Sequence, residues 1–328
     1  MSILLTEEQH MVQLMVRDFA RNEIDPVAAR NDREERFPAD ILKKMGGLGL
    51  MGMMVPEQYG GAGASAVSYI LAVEEVAVAC ASTAVTMSVS NLSCGPLLLF
   101  GNEAQKRKYL TPLASGKWLG AFAITEPETG SDAASVSTKA VRKGNHYVIN
   151  GRKNFITNGA YADVFIVIAK TGDEQRGRGL SAFVVEKGTP GLEIGREEDK
   201  MGLRASNTVG LLFEDCRVPA ENLLSEEGQG FRIAMAALDG GRIGIAAQAT
   251  GIARACLEEA VKYATERKQF GKTLAKHQAV QWMIANSARD VEAARLLNMS
   301  AALSKDRGEP FSYEAAIAKL FATEAANR

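Results

Sequence analysis

The sequence predicts an α+β protein, with a β-sheet domain between two helical stretches of chain. Three observations carry that prediction. Apolar residues recur at three- and four-residue spacing from Thr6 to Lys117, they alternate with polar residues from Trp118 to about Leu223, and helical spacing returns from Phe231 onward. The expected domains are therefore an N-terminal α-helical domain (residues 1–117), a middle β domain with a barrel-like sheet (118–223) and a C-terminal α-helical bundle (224–328). A chain of 328 residues can bury cores for two or three domains.

In "LTEEQHMVQLMVRDFARNEI", Thr6 is placed as an N-cap, with Glu7 and Glu8 in the first turn of the helix. From Val76 to Asn102 no residue is charged, a length that would span a bilayer. Ser82, Thr83, Thr86, Ser88, Ser90, Asn91 and Ser93 recur through that run, however, and Gly95-Pro96 interrupts it. A buried helix lining an internal cavity is the expectation, not a membrane span. The strands of the middle domain are read in "HYVINGRKNFITNG", "VFIVIAKT", "LSAFVVEK" and "TVGLLFEDCRVP", punctuated by Gly, Asn, Asp and Pro. The final window, "SYEAAIAKLFATEAANR", is an amphipathic helix that meets the last residue without a Gly cap or Pro stop, so the C-terminal domain is expected to be incomplete.

A net charge of -1 leaves no excess of basic charge for a nucleic-acid backbone or an anionic membrane. Cys80, Cys94, Cys216 and Cys256 are far apart, as are His10, His146 and His277, so no metal site or disulfide framework is expected. "MSILLTEEQH" lacks the basic start and apolar core of a signal peptide and the arginines of a transit peptide; the expected location is cytoplasmic.

The stretch "AITEPETGSDAAS" (Ala123–Ser135) joins turn residues to hydroxyls: Gly130 can take positive φ and admit a ligand to the backbone, and Thr125 and Ser131 can donate hydrogen bonds. Alone it is more often a solvated turn. Together with "STAVTMSVSN", "NGRKNFITNG", "GREEDKMGLR", "LDGGRIGIAAQATGIA" and "ERKQFGK", in that order and spacing, it resembles the acyl-CoA dehydrogenase family, most closely the short-chain, butyryl-type members.

That resemblance implies FAD as cofactor. It places Phe122, Ile124 and Thr125 beside the flavin ring, Gly130 and Ser131 near the pyrophosphate and the acyl-CoA, Phe155 packed on the isoalloxazine and Thr157 near flavin N5. It assigns Arg267, Phe270 and Gln278 to the cofactor, the first two reaching a neighbouring subunit's FAD, and thus implies a homotetramer. Leu238, Asp239 and Arg242, with Ser131, are implied for the CoA thioester, Asp239 at the pantetheine arm and Arg242 at the CoA end. Gln248, seven residues after Gly241, is expected two turns along the same helix face, as a polar stop in the acyl pocket that favours four-carbon chains.

Dehydrogenation across Cα and Cβ of a thioester needs a base, donors to the carbonyl oxygen and a hydride acceptor. In the family the base is a glutamate in a "YEG" loop, which these residues lack, and an alternative position before the helix arginine is Gly241. No catalytic residue is therefore assigned; the base is expected beyond Arg328 and this chain is expected to be inactive and to hold FAD poorly. Glu126, Glu128 and Asp132, in their tight turn, are expected to be poor bases. The implied reaction is FAD-dependent oxidation of short-chain acyl-CoA to trans-2-enoyl-CoA, with electrons passed to an electron-transfer flavoprotein. An oxygen-reacting oxidase of the same fold and a base-free FAD- and CoA-binding scaffold are the alternatives. Relatives acting on glutaryl-CoA carry an arginine at the position matching Ala84, so poor use of glutaryl-CoA is expected.

Overall fold

The computed structural model describes residues 5–173 and 177–328. The chain falls into two compact units: one takes the residues up to Ala29, Ser65–Val85 and Arg242–Arg328, the other Arg30–Ala64 and Thr86–Gly241.

Helix α1 (Glu7–Phe19) starts as its sequence requires. The Thr6 hydroxyl accepts the Gln9 N–H at 3.2 Å while the Gln9 side chain accepts the Thr6 N–H at 3.0 Å, a reciprocal capping box. A π-turn, Ala20–Ile24, leads into α2 (Asp25–Arg33), and α3 follows at Ala39–Gly47. The uncharged run forms two helices, not one. α4 (Ala66–Ala79) ends where Cys80 turns extended, at φ -159° and ψ 110°, and α5 (Ala81–Phe100) begins immediately after it. Pro96 does not interrupt α5, contrary to expectation: the single N–H it removes is tolerated in a helix whose Cys94 and Leu97 are buried. α5 is long and apolar enough to cross a membrane, yet 61% of that apolar window is buried inside the protein, as in a core helix. Two short helices, α6 (Glu103–Gln105) and α7 (Thr111–Ala114), complete this part of the chain.

Among the described residues, eight strands join in one sheet: β1 (Gly120–Ala123), β2 (Lys139–Lys143), β3 (His146–Thr157), β4 (Val164–Lys170), β5 (Leu180–Glu186), β6 (Leu192–Glu197), β7 (Thr208–Pro219) and β8 (Leu223–Leu224). Their order is β6-β7-β3-β2-β4-β5-β8, with β1 parallel to β4. The expected barrel is not formed. β6 pairs only with β7 and turns Glu193, Arg196 and Glu197 outward, and β8 is two residues long, so neither end offers a ladder to the other. β4 and β5 are buried on both faces: Val164, Ile166 and Ile168 meet Leu97, Tyr109 and Leu113 on the helical side, while Phe165 and Val167 join Phe183, Phe213 and Tyr147 on the other. The β3–β7 ladder is bulged twice, between Ile149 and Gly151 and between Lys153 and Ile156. Gly151, at φ +150°, is held so close to Thr138 that a Cβ would lie 2.5 Å from its hydroxyl.

Helix α8 (Gly230–Glu266) is followed by a small hairpin, β9 (Lys268–Gln269) and β10 (Lys272–Thr273), and then by α9 (Gln278–Asp306) and α10 (Ser312–Asn327). In this unit Ala246, Ala249, Ala294, Ala318 and Ala322 form a close-packed helix interface. The Asp306 carboxylate accepts the Ala66 and Val67 N–H groups at 2.6 and 3.2 Å, capping α4 from the end of α9. On α4, Glu74 and Glu75 are buried among arginines. Arg17 and Arg254 reach Glu75 at 2.8 and 2.6 Å, and Arg254 and Arg295 each reach Glu74 at 2.8 Å.

Gln248 belongs to this packing. It is buried, and its Nε2 donates to the Ala81 carbonyl oxygen at 2.8 Å, so its amide bonds a neighbouring helix where a stop in the acyl pocket was expected. Gln248→Ala is expected to lower stability by about 1 kcal/mol, read from urea unfolding, by removing a part-buried hydrogen bond between two helices. An unchanged midpoint would return Gln248 to the acyl pocket.

Candidate functional site

The candidate site is built where the end of β1 runs beside the second bulge of β3. Phe122 and Ile124 are half-buried, packed against the helix-facing core, and the half-buried Thr125 continues the strand toward the turn. Two bonds stitch this segment to β3: the Asn154 N–H donates to Thr125 O at 2.8 Å, and the Lys153 ammonium donates to Ile124 O at 3.0 Å. At the far end of β3, Asn158 donates from Nδ2 to Gly120 O at 3.3 Å and to Thr86 O at 3.2 Å.

The bulge gives Phe155 an unusual conformation. Its φ is +58° and its ring is 63% exposed. A bulky residue in the left-handed region costs of order 1–3 kcal/mol, and an exposed aromatic recovers none of that from a core. Such strain marks a ligand platform better than it marks a strand. Thr157, half-buried, closes β3 opposite Thr208. Phe155 and Thr157 thus lie in the last three residues of β3, next to the Asn154 that bonds Thr125.

The adjoining turn is pinned by Glu126. Its backbone exchanges hydrogen bonds with Thr129 at 2.8 and 3.2 Å, and its carboxylate accepts the Ser137 N–H at 2.7 Å, the Ser137 hydroxyl at 2.6 Å, the Thr138 N–H at 2.9 Å and the Lys153 ammonium at 2.8 Å. Burial alone would raise this carboxyl, but the Lys153 charge and these donors outweigh it and hold it at about 2. The expectation that Glu126 is a poor base rests here on donors 11 to 27 residues away along the chain. Gly130 and Ser131 are exposed beyond this turn. Gly130 is not left-handed, so its expected positive φ is not realised; a Cβ added there would meet nothing within 4 Å, and the surface stays open to close approach.

A flavin fits these residues on two observations, the exposed, strained ring of Phe155 and the open backbone around Gly130. A second candidate surface lies in the other unit. Phe270 and Gly271, at φ 51° and 75°, form the two-residue turn of the β9–β10 hairpin, and the Phe270 ring is 92% exposed. Arg267 at the hairpin base is exposed, with its carbonyl accepting the Leu274 N–H at 2.9 Å, and the exposed Gln278 opens α9. Leu238, Asp239 and Arg242 are half-buried along α8, and Asp239 and Arg242 both engage other groups. At Gly241 a Cβ would stand 2.5 Å from Leu92 Cδ1, so the alternative base position is closed to a larger side chain unless Leu92 moves. Among the described residues no group of acids, histidines and cysteines could hold a metal. Sequence reasoning did not find Lys153, although a lysine at an inward-facing position of a strand is a signal in itself.

Family models for the acyl-CoA dehydrogenase N-terminal, middle and C-terminal domains match residues 6–117, 121–216 and 228–328. The short-chain specific acyl-CoA dehydrogenase of Clostridium acetobutylicum is 50% identical over 327 residues, 99% of this chain and 86% of that protein. Among solved structures, butyryl-CoA dehydrogenase from Megasphaera elsdenii superposes with a TM-score of 0.96 at 44% identity, covering 99% of this chain and 86% of that one. A chain in the structure described as the electron transferring flavoprotein of Acidaminococcus fermentans gives 0.97 at 48% identity, again over 99% and 86%. These matches take in 99% of this chain and 86% of each of those three proteins. The chain belongs to the acyl-CoA dehydrogenase family.

Proposed function

We propose that the protein is a FAD-dependent dehydrogenase that converts short-chain acyl-CoA thioesters to trans-2-enoyl-CoA and passes the electrons to an electron-transfer flavoprotein. The observation that carries this reading is Phe155, exposed and left-handed on the strand stitched to Thr125. FAD, when bound, supplies the hydride acceptor. Phe155 offers the ring a stacking face, and the hydroxyls of Thr125 and Thr157 offer hydrogen bonds at its edge. Glu126, ionised and bonded on both oxygens, holds the turn and does not take the substrate proton; the α proton goes to a general base that none of the residues assigned here supplies. The butyryl and short-chain relatives support the substrate class.

A homotetramer is part of the proposal. Phe270, Trp282 and Tyr313 are 92%, 61% and 73% exposed on the unit that carries the β9–β10 hairpin, aromatic surface of the kind that subunit contacts cover. All four cysteines are free thiols, in keeping with the proposed cytoplasmic location.

The test is a substrate series on the FAD-loaded protein. Butyryl-CoA is expected to exceed octanoyl-CoA in kcat/KM. Ala84, fully buried and uncharged, offers no partner to a second carboxylate. Glutaryl-CoA is therefore expected to fall at least about 100-fold below butyryl-CoA, the equivalent of an unpaired buried charge costing about 3 kcal/mol or more. An optimum at eight carbons, or equal use of glutaryl-CoA, would reject the short-chain assignment.

A further inference from the structure

We propose that the buried Lys153–Glu126 pair is a positioning device for the cofactor: it sets the spacing between the Thr125 segment and the Phe155 bulge, and it does so only while Lys153 carries its proton. The proposal rests on the FAD reading above. Both side chains are almost inaccessible, at 0% and 2%, with Nζ 2.8 Å from Glu126 Oε1 and 3.0 Å from Ile124 O. Lys153 is also the last residue in register before the bulge; Asn154 and Phe155 have no partner in the β3–β7 ladder. One ammonium therefore clamps the β1 end, the turn and the bulge at the point where the ladder lets go. Beside it, the Asn154 N–H donates to Thr125 O at 2.8 Å.

The charge is poised to be lost. Burial pulls the Lys153 ammonium down to about 8, despite the opposing pull of Glu126. Glu126, from the turn after β1, is the charged group that acts on it among the described residues; Ser137 and Thr138 face the carboxylate, and Arg152, its neighbour on β3, is exposed. Above that pH the clamp becomes a neutral amine, while Glu126 stays ionised with no counter-charge beside it.

Linkage separates this role from plain structural support. A lysine whose folded pKa is about 8, against 10.5 for the ordinary group, is held less tightly protonated by the fold than by the unfolded chain. Its contribution to stability therefore rises with pH between those two values. FAD affinity is expected to move the other way.

The experiment measures FAD dissociation constants between about pH 7 and about pH 9.5, with the melting temperature of the FAD-free protein in the same buffers. The expected result is a wild-type affinity that weakens about tenfold or more as pH rises through about 8, with no fall in melting temperature attributable to this group. Lys153→Arg should flatten the profile by keeping its charge. The double variant Lys153→Met/Glu126→Gln, which leaves no charge unpaired, should bind weakly and without pH dependence. A flat wild-type profile, or a double variant that keeps the wild-type slope, would overturn the inference and leave the FAD reading standing. Failure of the wild type to take up FAD at any pH would overturn both.

Discussion

Phe155→Gly is expected to weaken FAD binding by about 10- to 100-fold, the loss of a buried aromatic face worth about 1.5–3 kcal/mol. The same change should leave the FAD-free protein as stable as before or more so. At φ +58° glycine relieves the strain that phenylalanine bears, and this offsets its larger backbone entropy. The ring is 63% exposed, so no core is emptied by its removal. Opposite movements of affinity and melting temperature would identify Phe155 as a ligand platform. A lower melting temperature with unchanged affinity would make it an ordinary strand residue.

Glu75→Gln is expected to destabilise the protein by about 3 kcal/mol at neutral pH, because it leaves buried arginines short of an anion. Burial would raise the Glu75 carboxyl, but Arg254 and Arg17 overcome that and hold it at about 2, below the ordinary 4.5. A depressed carboxyl stabilises the fold above its ordinary pKa, and that stability is lost as pH falls through the folded value. Wild type should therefore lose about 3 kcal/mol from this group between about pH 4.5 and about pH 2. Glu126 acts in the same window with the same sign. Glu75→Gln should remove one part of the acid-dependent loss, seen as a shallower fall of denaturant midpoint with decreasing pH. An unchanged slope would mean that the arginine cluster does not stabilise the fold.

What the sequence made legible was what local periodicity and local caps control. Thr6 caps α1 as read, and the four strand segments of the middle region became β3, β4, β5 and β7. The residues proposed for the flavin were named only through motif resemblance, and Phe155 and Phe270 show in their left-handed backbones a strain that spacing alone does not reveal. Contacts between distant residues were not legible. Glu75 meets Arg17 and Arg254 across separations of 58 and 179 residues, and Lys153 meets Glu126 across 27. Only Lys153, at an inward-facing strand position, carries a signal within its own segment. The break at Cys80 and the continuity through Pro96 depend on packing around α4 and α5, which outweighs the local preferences of both residues. Sheet closure failed for a similar reason, since the strand pattern does not say whether the last two edges meet.

On the proposed function, this chain carries FAD where short-chain acyl-CoA can reduce it. The most direct measurement is anaerobic addition of butyryl-CoA to the FAD-loaded protein, followed by the flavin absorbance. The expected result is stoichiometric FAD uptake and bleaching of the flavin band by butyryl-CoA, with recovery of the band when an electron-transfer flavoprotein is added. Bound FAD whose spectrum stays oxidised under butyryl-CoA would contradict it.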